Sequence, residues 1–272
     1  DYARYEHDTS RGDAGDCQPS AHPKEPTMTA VAQRDAPGRH DVESPREDVA
    51  VELWLTSIQD RASAADVYSL LDDTERARSR RYRFERDRIR FVNRRAYLRQ
   101  VLASYIQVEP SRIRLRTASH GRPQLADGGD LSFNLSQADG MVAVVVARGT
   151  RVGMDLERLR PIEDVGELAR GLFHPREVAA LLSAPSAQRS AAFLSIWTRK
   201  EAIVKADGRG LSVPLDRFDV LSRDGQGMGR PRDVDGDLPY VFSDLDLPDG
   251  LCGAVAVAKP GARLRITRRT LP

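Results

Sequence analysis

Gly153-Met154-Asp155-Leu156-Glu157 alternates apolar and acidic side chains, and the reading of this stretch decides the fold. On a strand, residues i and i+2 share a face. Asp155 and Glu157 therefore project together, while Met154 and Leu156 turn into a core. Two carboxylates side by side repel unless a cation or protons intervene. Hard oxygen donors at this density suit Mg²⁺, which binds through one or two carboxylates together with substrate phosphates. Taken alone, the segment is better read as a strand end with two solvated acids, neutralised by Arg158 and Arg160.

Working outward, strands and helices alternate in a mixed order. Alternation in Val49-Ala50-Val51-Glu52-Leu53-Trp54-Leu55 predicts a first strand. Helical character follows over about 65–71. Phe91, Leu98, Val101, Leu102 and Tyr105, spaced by three, four and seven, predict a helix over about 86–106. A short strand is expected over 113–116. Turns are expected at Gly121-Arg122-Pro123 and Asp127-Gly128-Gly129-Asp130. Leu131 to Leu135 reads as a strand that runs into a loop through Ser136-Gln137-Ala138-Asp139-Gly140. Met141 to Ala147 is apolar on both faces, as a central strand is. Beyond 152–156, helices are expected at 163–172, 175–182 and 186–206, and strands at 218–221, 240–245, 253–258 and 264–267. Each half thus carries strands and one long helix, and the mixture is α+β.

The second segment with chemistry is Trp197-Thr198-Arg199-Lys200-Glu201-Ala202-Ile203-Val204-Lys205. Trp197, Glu201 and Lys205 fall at i, i+4 and i+8 along one stripe of a helix. A Glu–Lys pair at this spacing is commonly a surface pair worth about 0.2–0.5 kcal/mol. Beside a metal-bound diphosphate the same stripe offers a carboxylate or base in Glu201, and a cation for phosphate oxygens in Lys205. Phe133-Asn134-Leu135-Ser136-Gln137 puts hydrogen-bonding groups at a strand exit, where they also simply form turns.

Composition narrows the class. The 272 residues carry a net charge of +2, with 30% charged and 6% aromatic residues. The two cysteines, Cys17 and Cys252, lie far apart with no metal-ligand spacing, so neither a disulfide framework nor a zinc site is expected. No apolar run approaches a membrane span, and a cytoplasmic, soluble protein is expected. Residues 1–48, rich in Asp, Arg, Pro, Gly and Ser, read as a disordered extension, with Met28 a possible internal start. From Glu75 to Arg95 ten arginines (76, 78, 80, 81, 83, 86, 88, 90, 94, 95) face three acids (75, 85, 87). With Tyr82, Phe84 and Phe91 between them, this segment is the best sign of a nucleic-acid binder. A solvated helix face explains it better.

Taken in order, Gly-Arg-Pro at 121–123, Phe-Asn-Leu-Ser at 133–136, Gly-Met-Asp-Leu-Glu at 153–157 and Trp-Thr-Arg-Lys-Glu-Ala-Ile-Val-Lys at 197–205 resemble the 4′-phosphopantetheinyl transferases. More narrowly, the chain is similar to the surfactin-synthetase-activating type, a single chain with two similar halves. Gly208-Arg209-Gly210-Leu211-Ser212 and Pro214-Leu215 fit as well, and the resemblance runs from about Val51 to Ala258. It implies two α/β subdomains, over 49–150 and 151–272, with coenzyme A in the cleft between them. It also implies transfer of phosphopantetheine to a serine of an acyl or peptidyl carrier protein, with release of 3′,5′-ADP and no covalent enzyme intermediate. Such a chain is expected to act as a monomer, without nucleic acid or membrane.

By resemblance, Asp155, Glu157 and Glu201 correspond to Mg²⁺-binding carboxylates, Glu201 also to a general base, and Lys205 to the lysine near the phosphates. Arg78, Arg122, Asn134 and Ser136 match positions that contact coenzyme A. Gln137 departs from the family, which usually has His there to hold the 3′-phosphate. Gln donates hydrogen bonds but carries no charge. His120 is a candidate to compensate.

Overall fold

The alternation at 153–157 is realised in a computed structural model that describes residues 47–58, 67–117, 122–222, 227–234 and 236–271. All of them fall in one unit, Glu43–Pro272. The expected extension lies outside the described residues except for its last two, and Asp48 already opens the first strand. Cys17, Met28, His120 and Gly121 also lie outside them.

The described order is β1 (Asp48–Ser57), α1 (Asp73–Ser79), α2 (Glu85–Ile106), β2 (Leu115–Thr117), β3 (Pro123–Leu125), β4 (Leu131–Ala138), β5 (Met141–Arg148) and β6 (Val152–Arg158). It continues with α3 (Val165–Leu172), α4 (Pro175–Ser183), α5 (Ser186–Asp207), β7 (Met228–Gly229), β8 (Arg232–Asp233), β9 (Gly236–Asp237), β10 (Val241–Asp244), β11 (Leu251–Val257) and β12 (Arg263–Arg269). The fold is α+β. One four-stranded sheet runs β12-β1-β5-β4 and a second runs β6-β11-β10-β7. Pairing is antiparallel except between β1 and β12, which are parallel. The last described strand therefore completes the sheet that the first described strand begins.

Local chemistry sets the element ends. Asp72 caps α1 by accepting from the Glu75 N–H at 2.8 Å. Pro175 opens α4, where His174 and Glu177 form a reciprocal capping box. Gly208, at φ 85, ends α5 in the left-handed region.

Both faces of β5 are covered, as its unbroken apolar run predicts. Ala143, Val145 and Ala147 join Val49, Val51 and Leu53 of β1 in a core shared with Met154 and Leu156 of β6 and Val255 and Val257 of β11. Val142, Val144 and Val146 face the other way, onto Tyr97, Leu98, Val101 and Leu102 of α2. The first core joins the two sheets, so neither half buries its apolar surface alone.

Two expectations need correction. Ser136, Gln137 and Ala138 are strand, and only Asp139-Gly140 turn, because β4 pairs with β5 through Ala138↔Met141. Residues 218–221 make one isolated bridge, Asp219↔Arg232, in place of a strand. Of the helical stretch expected over 65–71, residues 65–66 lie outside the described residues, Val67 and Tyr68 are helical, and the chain turns at 69–70. No helix among the described residues is long and apolar enough to cross a membrane.

Candidate active site

Strand β6 and helix α5 meet at a glycine. A Cβ on Gly153 would lie 2.2 Å from the Ala202 carbonyl oxygen and 2.2 Å from the Ala206 nitrogen. Across the ladder, Ala256 stands opposite Gly153 and Ala254 opposite Asp155. Small residues on this face let the 22-residue helix settle onto the sheet. The alternation then does what the sequence implies: Met154 and Leu156 enter the core, and Asp155 and Glu157 rise on the helix side.

That approach brings α5 to the carboxylates. Lys205 Nζ donates to Asp155 Oδ1 at 2.5 Å. Ser136 Oγ, from β4, donates to the same oxygen at 3.0 Å. Asp155 is buried, at 6% exposure. Glu157 pairs with Arg160 at 3.2 Å, the neutralisation anticipated from sequence for one of the two acids. Burial pushes the Glu201 carboxyl above its usual range; Lys205 pulls it down, and Asp155 and Glu157 push it up. The fields of the other two carboxylates thus reach Glu201.

Strand β4 lies along β6 without a shared ladder, and its alternate side chains bridge the seam. Ser132 Oγ accepts from the Val152 N–H at 3.2 Å. Asn134 Oδ1 accepts from the Met154 N–H at 3.0 Å. Ser136 then reaches Asp155. The residues read as ligand contacts therefore join two sheet edges, replacing backbone partners with side chains. Gln137 falls on the opposite face of β4 and is exposed.

Arg122 also works across the seam. Its guanidinium donates to the carbonyls of Lys205 at 2.6 Å, Val152 at 2.8 Å and Phe133 at 3.1 Å, and to Ser132 Oγ at 3.2 Å. Burial holds its pKa below the ordinary value, and Arg151 adds to this. Arg122 further lines a cleft of about 630 Å³ with Arg116, Gln124 and Arg151.

Arg78 sits on exposed surface of α1, its guanidinium 5.4 Å from the Phe91 ring. It lines a second cleft of about 890 Å³ with Asp73, Thr74, Arg81 and Tyr82. Part of the arginine-rich segment is paired: Arg88 with Glu85, Arg76 with Asp73, and Arg95 with Glu75.

Sequence spacing missed the supports of α5. Lys200, at 0% exposure, pairs with the equally buried Glu177 at 2.8 Å. Its Nζ also donates to the carbonyls of Leu215 at 2.6 Å and Phe218 at 2.5 Å. Arg199 holds Asp244 through two bonds of 2.7 and 2.5 Å. Two of the charged residues in the 197–205 motif therefore tie the helix to α4, β10 and the following loop. No local signal separates them from Glu201 and Lys205.

Among the described residues no group of three His, Cys, Asp or Glu is gathered closely enough to hold a metal ion. The donor chemistry still fits a hard dication. Asp155 and Glu157 share a strand face, and their charges raise the pKa of Glu201, an electrostatic cost that a divalent cation removes.

Comparison with known proteins agrees with this geometry. Residues 151–250 match the model of the 4′-phosphopantetheinyl transferase superfamily, and residues 55–149 match that of the 4′-phosphopantetheinyl transferase N-terminal domain. The chain is 37% identical over 212 residues to the 4′-phosphopantetheinyl transferase HetI of Nostoc sp., covering 76% of this chain and 87% of HetI. It is 30% identical over 194 residues to the 4′-phosphopantetheinyl transferase Sfp of Bacillus subtilis, covering 71% of this chain and 84% of Sfp. A phosphopantetheinyl transferase of Thraustochytrium sp. is 30% identical over 227 residues, covering 76% of this chain and 78% of the relative. The chain belongs to the 4′-phosphopantetheinyl transferase family, as an enzyme of the Sfp type.

Proposed function

We propose that this transferase moves the 4′-phosphopantetheine arm of coenzyme A onto a serine of an acyl or peptidyl carrier protein, with Mg²⁺, releasing 3′,5′-ADP. The observation that carries the reading is the Lys205–Asp155 contact with Glu201 beside it, where acidic and cationic groups from two elements converge. Asp155, Glu157 and Glu201 would hold the dication, which supplies positive charge beside the diphosphate of coenzyme A.

The chain's own residues divide the remaining work. The carrier serine Oγ attacks the β-phosphorus, the bond from that phosphorus to the bridging oxygen breaks, and 3′,5′-ADP leaves. Lys205 places a cation where charge grows on the phosphate oxygens. Glu201 takes the serine proton, directly or through water. Arg78, Arg122, Asn134, Ser136 and Gln137 were matched to coenzyme A positions. Of these, Arg78 has an exposed side chain, with no ion pair among the described residues, that suits a phosphate. Residues from both 49–150 and 151–272 meet at Asp155, so one chain suffices and the enzyme acts as a monomer in the cytoplasm.

Chromatography of the small molecules tests the reaction. With coenzyme A, Mg²⁺ and an unmodified carrier, 3′,5′-ADP should appear in step with modified carrier, and Glu201→Gln should suppress both. Coenzyme A cleavage in step with no carrier modification would refute the transfer.

A further inference from the structure

We propose that the Arg122 guanidinium is a positioning group for the transfer and not a phosphate ligand: it locks the β4–β6 seam to the last turns of α5 and so sets where Lys205 meets Asp155. The inference rests on the transferase reading above for its kinetic consequence, but not for its structural one.

The argument starts from the donors. A guanidinium presents a planar fork of N–H groups and no acceptor. In Arg122 one terminal nitrogen is committed to the Lys205 carbonyl, and the other to Ser132 Oγ and the carbonyls of Phe133 and Val152. Those acceptors come from three elements: β4, β6 and α5. Its Nε is buried with no hydrogen-bond partner among the described residues. A phosphate reaching this group would have to strip carbonyls that β4 and β6, lacking a common ladder, do not satisfy through each other.

The acceptors are also the right ones for positioning. Lys205 carries the ammonium that meets Asp155, and its own carbonyl is what Arg122 holds. Val152 precedes the glycine on which α5 rests, and Ser132, held by the same guanidinium, also binds the Val152 N–H. A single side chain thus fixes the strand, the helix and the strand edge that supplies Ser136.

Two measurements on Arg122→Ala and Arg122→Lys test this. In steady-state transfer, a positioning role predicts that Arg122→Ala lowers kcat by about tenfold to a hundredfold while KM for coenzyme A moves less than about twofold. Arg122→Lys should stay impaired, because an ammonium lacks the fork, and added ethylguanidinium should restore part of the Arg122→Ala rate. A raised KM with kcat kept, and good function in Arg122→Lys, would overturn the proposal in favour of phosphate binding.

The second measurement needs no activity. Amide hydrogen exchange without coenzyme A should quicken over 152–154 and 202–208 in both variants. Unchanged exchange there would overturn the proposal even if the transferase reading stands. Faster exchange, with no transfer by the parent protein, would sustain the lock and sink the reaction. Should Arg122→Ala fail to fold, Arg122→Lys carries both measurements.

Discussion

Lys205 Nζ and Ser136 Oγ share one acceptor, the Asp155 Oδ1 atom, at 2.5 and 3.0 Å. One carboxylate oxygen therefore ties helix α5 of the C-terminal half to strand β4 of the N-terminal half, with β6 between them. The site is assembled at a seam, so changes that shift the helix by a fraction of an ångström reach the chemistry.

Gly153→Ala is the sharpest such change. The new methyl would meet the Ala202 carbonyl and the Ala206 nitrogen at 2.2 Å, and backbone cannot swing aside as a side chain does. Stability should fall by about 1–3 kcal/mol, read from urea unfolding. Transfer should fall further than the loss of folded protein accounts for.

The buried Lys200–Glu177 pair makes a different prediction. Lys200→Met leaves Glu177 without its cation at 0% exposure, and unfolding should become easier by about 3–5 kcal/mol. Replacing both, as Lys200→Met with Glu177→Leu, should destabilise less than Lys200→Met alone, because no uncompensated charge remains. A double variant that loses the sum of both single losses would show that the pair is not coupled.

Alkaline stability tests the contact between Tyr240 and Asp207. Burial, then the hydrogen bond and charge of Asp207, push the Tyr240 hydroxyl up to about 12 from 10.0. A phenol whose folded pKa is raised lends stability that is fully present below pH 10 and lost as pH climbs from 10 to 12. Tyr240→Phe should lower stability by about 1.5–3 kcal/mol at neutral pH and flatten the fall across that window. Tyr105, raised for similar reasons beside Glu52, keeps some slope in the variant.

Gln137→His should restore a cation that the family pattern supplies. Its expected signature is a lower KM for coenzyme A with no change for dephospho-coenzyme A. The gain should be larger below the imidazole pKa of about 6.5 than above it. Equal effects on both substrates would detach residue 137 from the 3′-phosphate.

The acids were legible because strand alternation is local. Met154 and Leu156 inward, Asp155 and Glu157 outward, follows from a period of two and needs no partner. The bridging role of Asn134 and Ser136 was not legible, since a side chain that bonds a neighbouring strand edge carries the same letters as one that ends a strand. That ambiguity also cut β4 short in the sequence reading, although the strand runs on to Ala138. The hydrogen bonds of Arg122 were not legible either, because its partners, among them the Lys205 carbonyl 83 residues away, are set by tertiary packing. The parallel pairing of β12 with β1 joins the first and last described strands and has no local signature either.

The measurement that tests the central claim most directly is the intact mass of an unmodified carrier protein after incubation with this enzyme, coenzyme A and Mg²⁺. The account predicts a gain of one phosphopantetheine, lost when a chelator is added and lost with Asp155→Ala. A folded enzyme that leaves peptidyl, acyl and fatty-acid carriers at their starting mass would contradict it, as would a gain that survives both the chelator and Asp155→Ala.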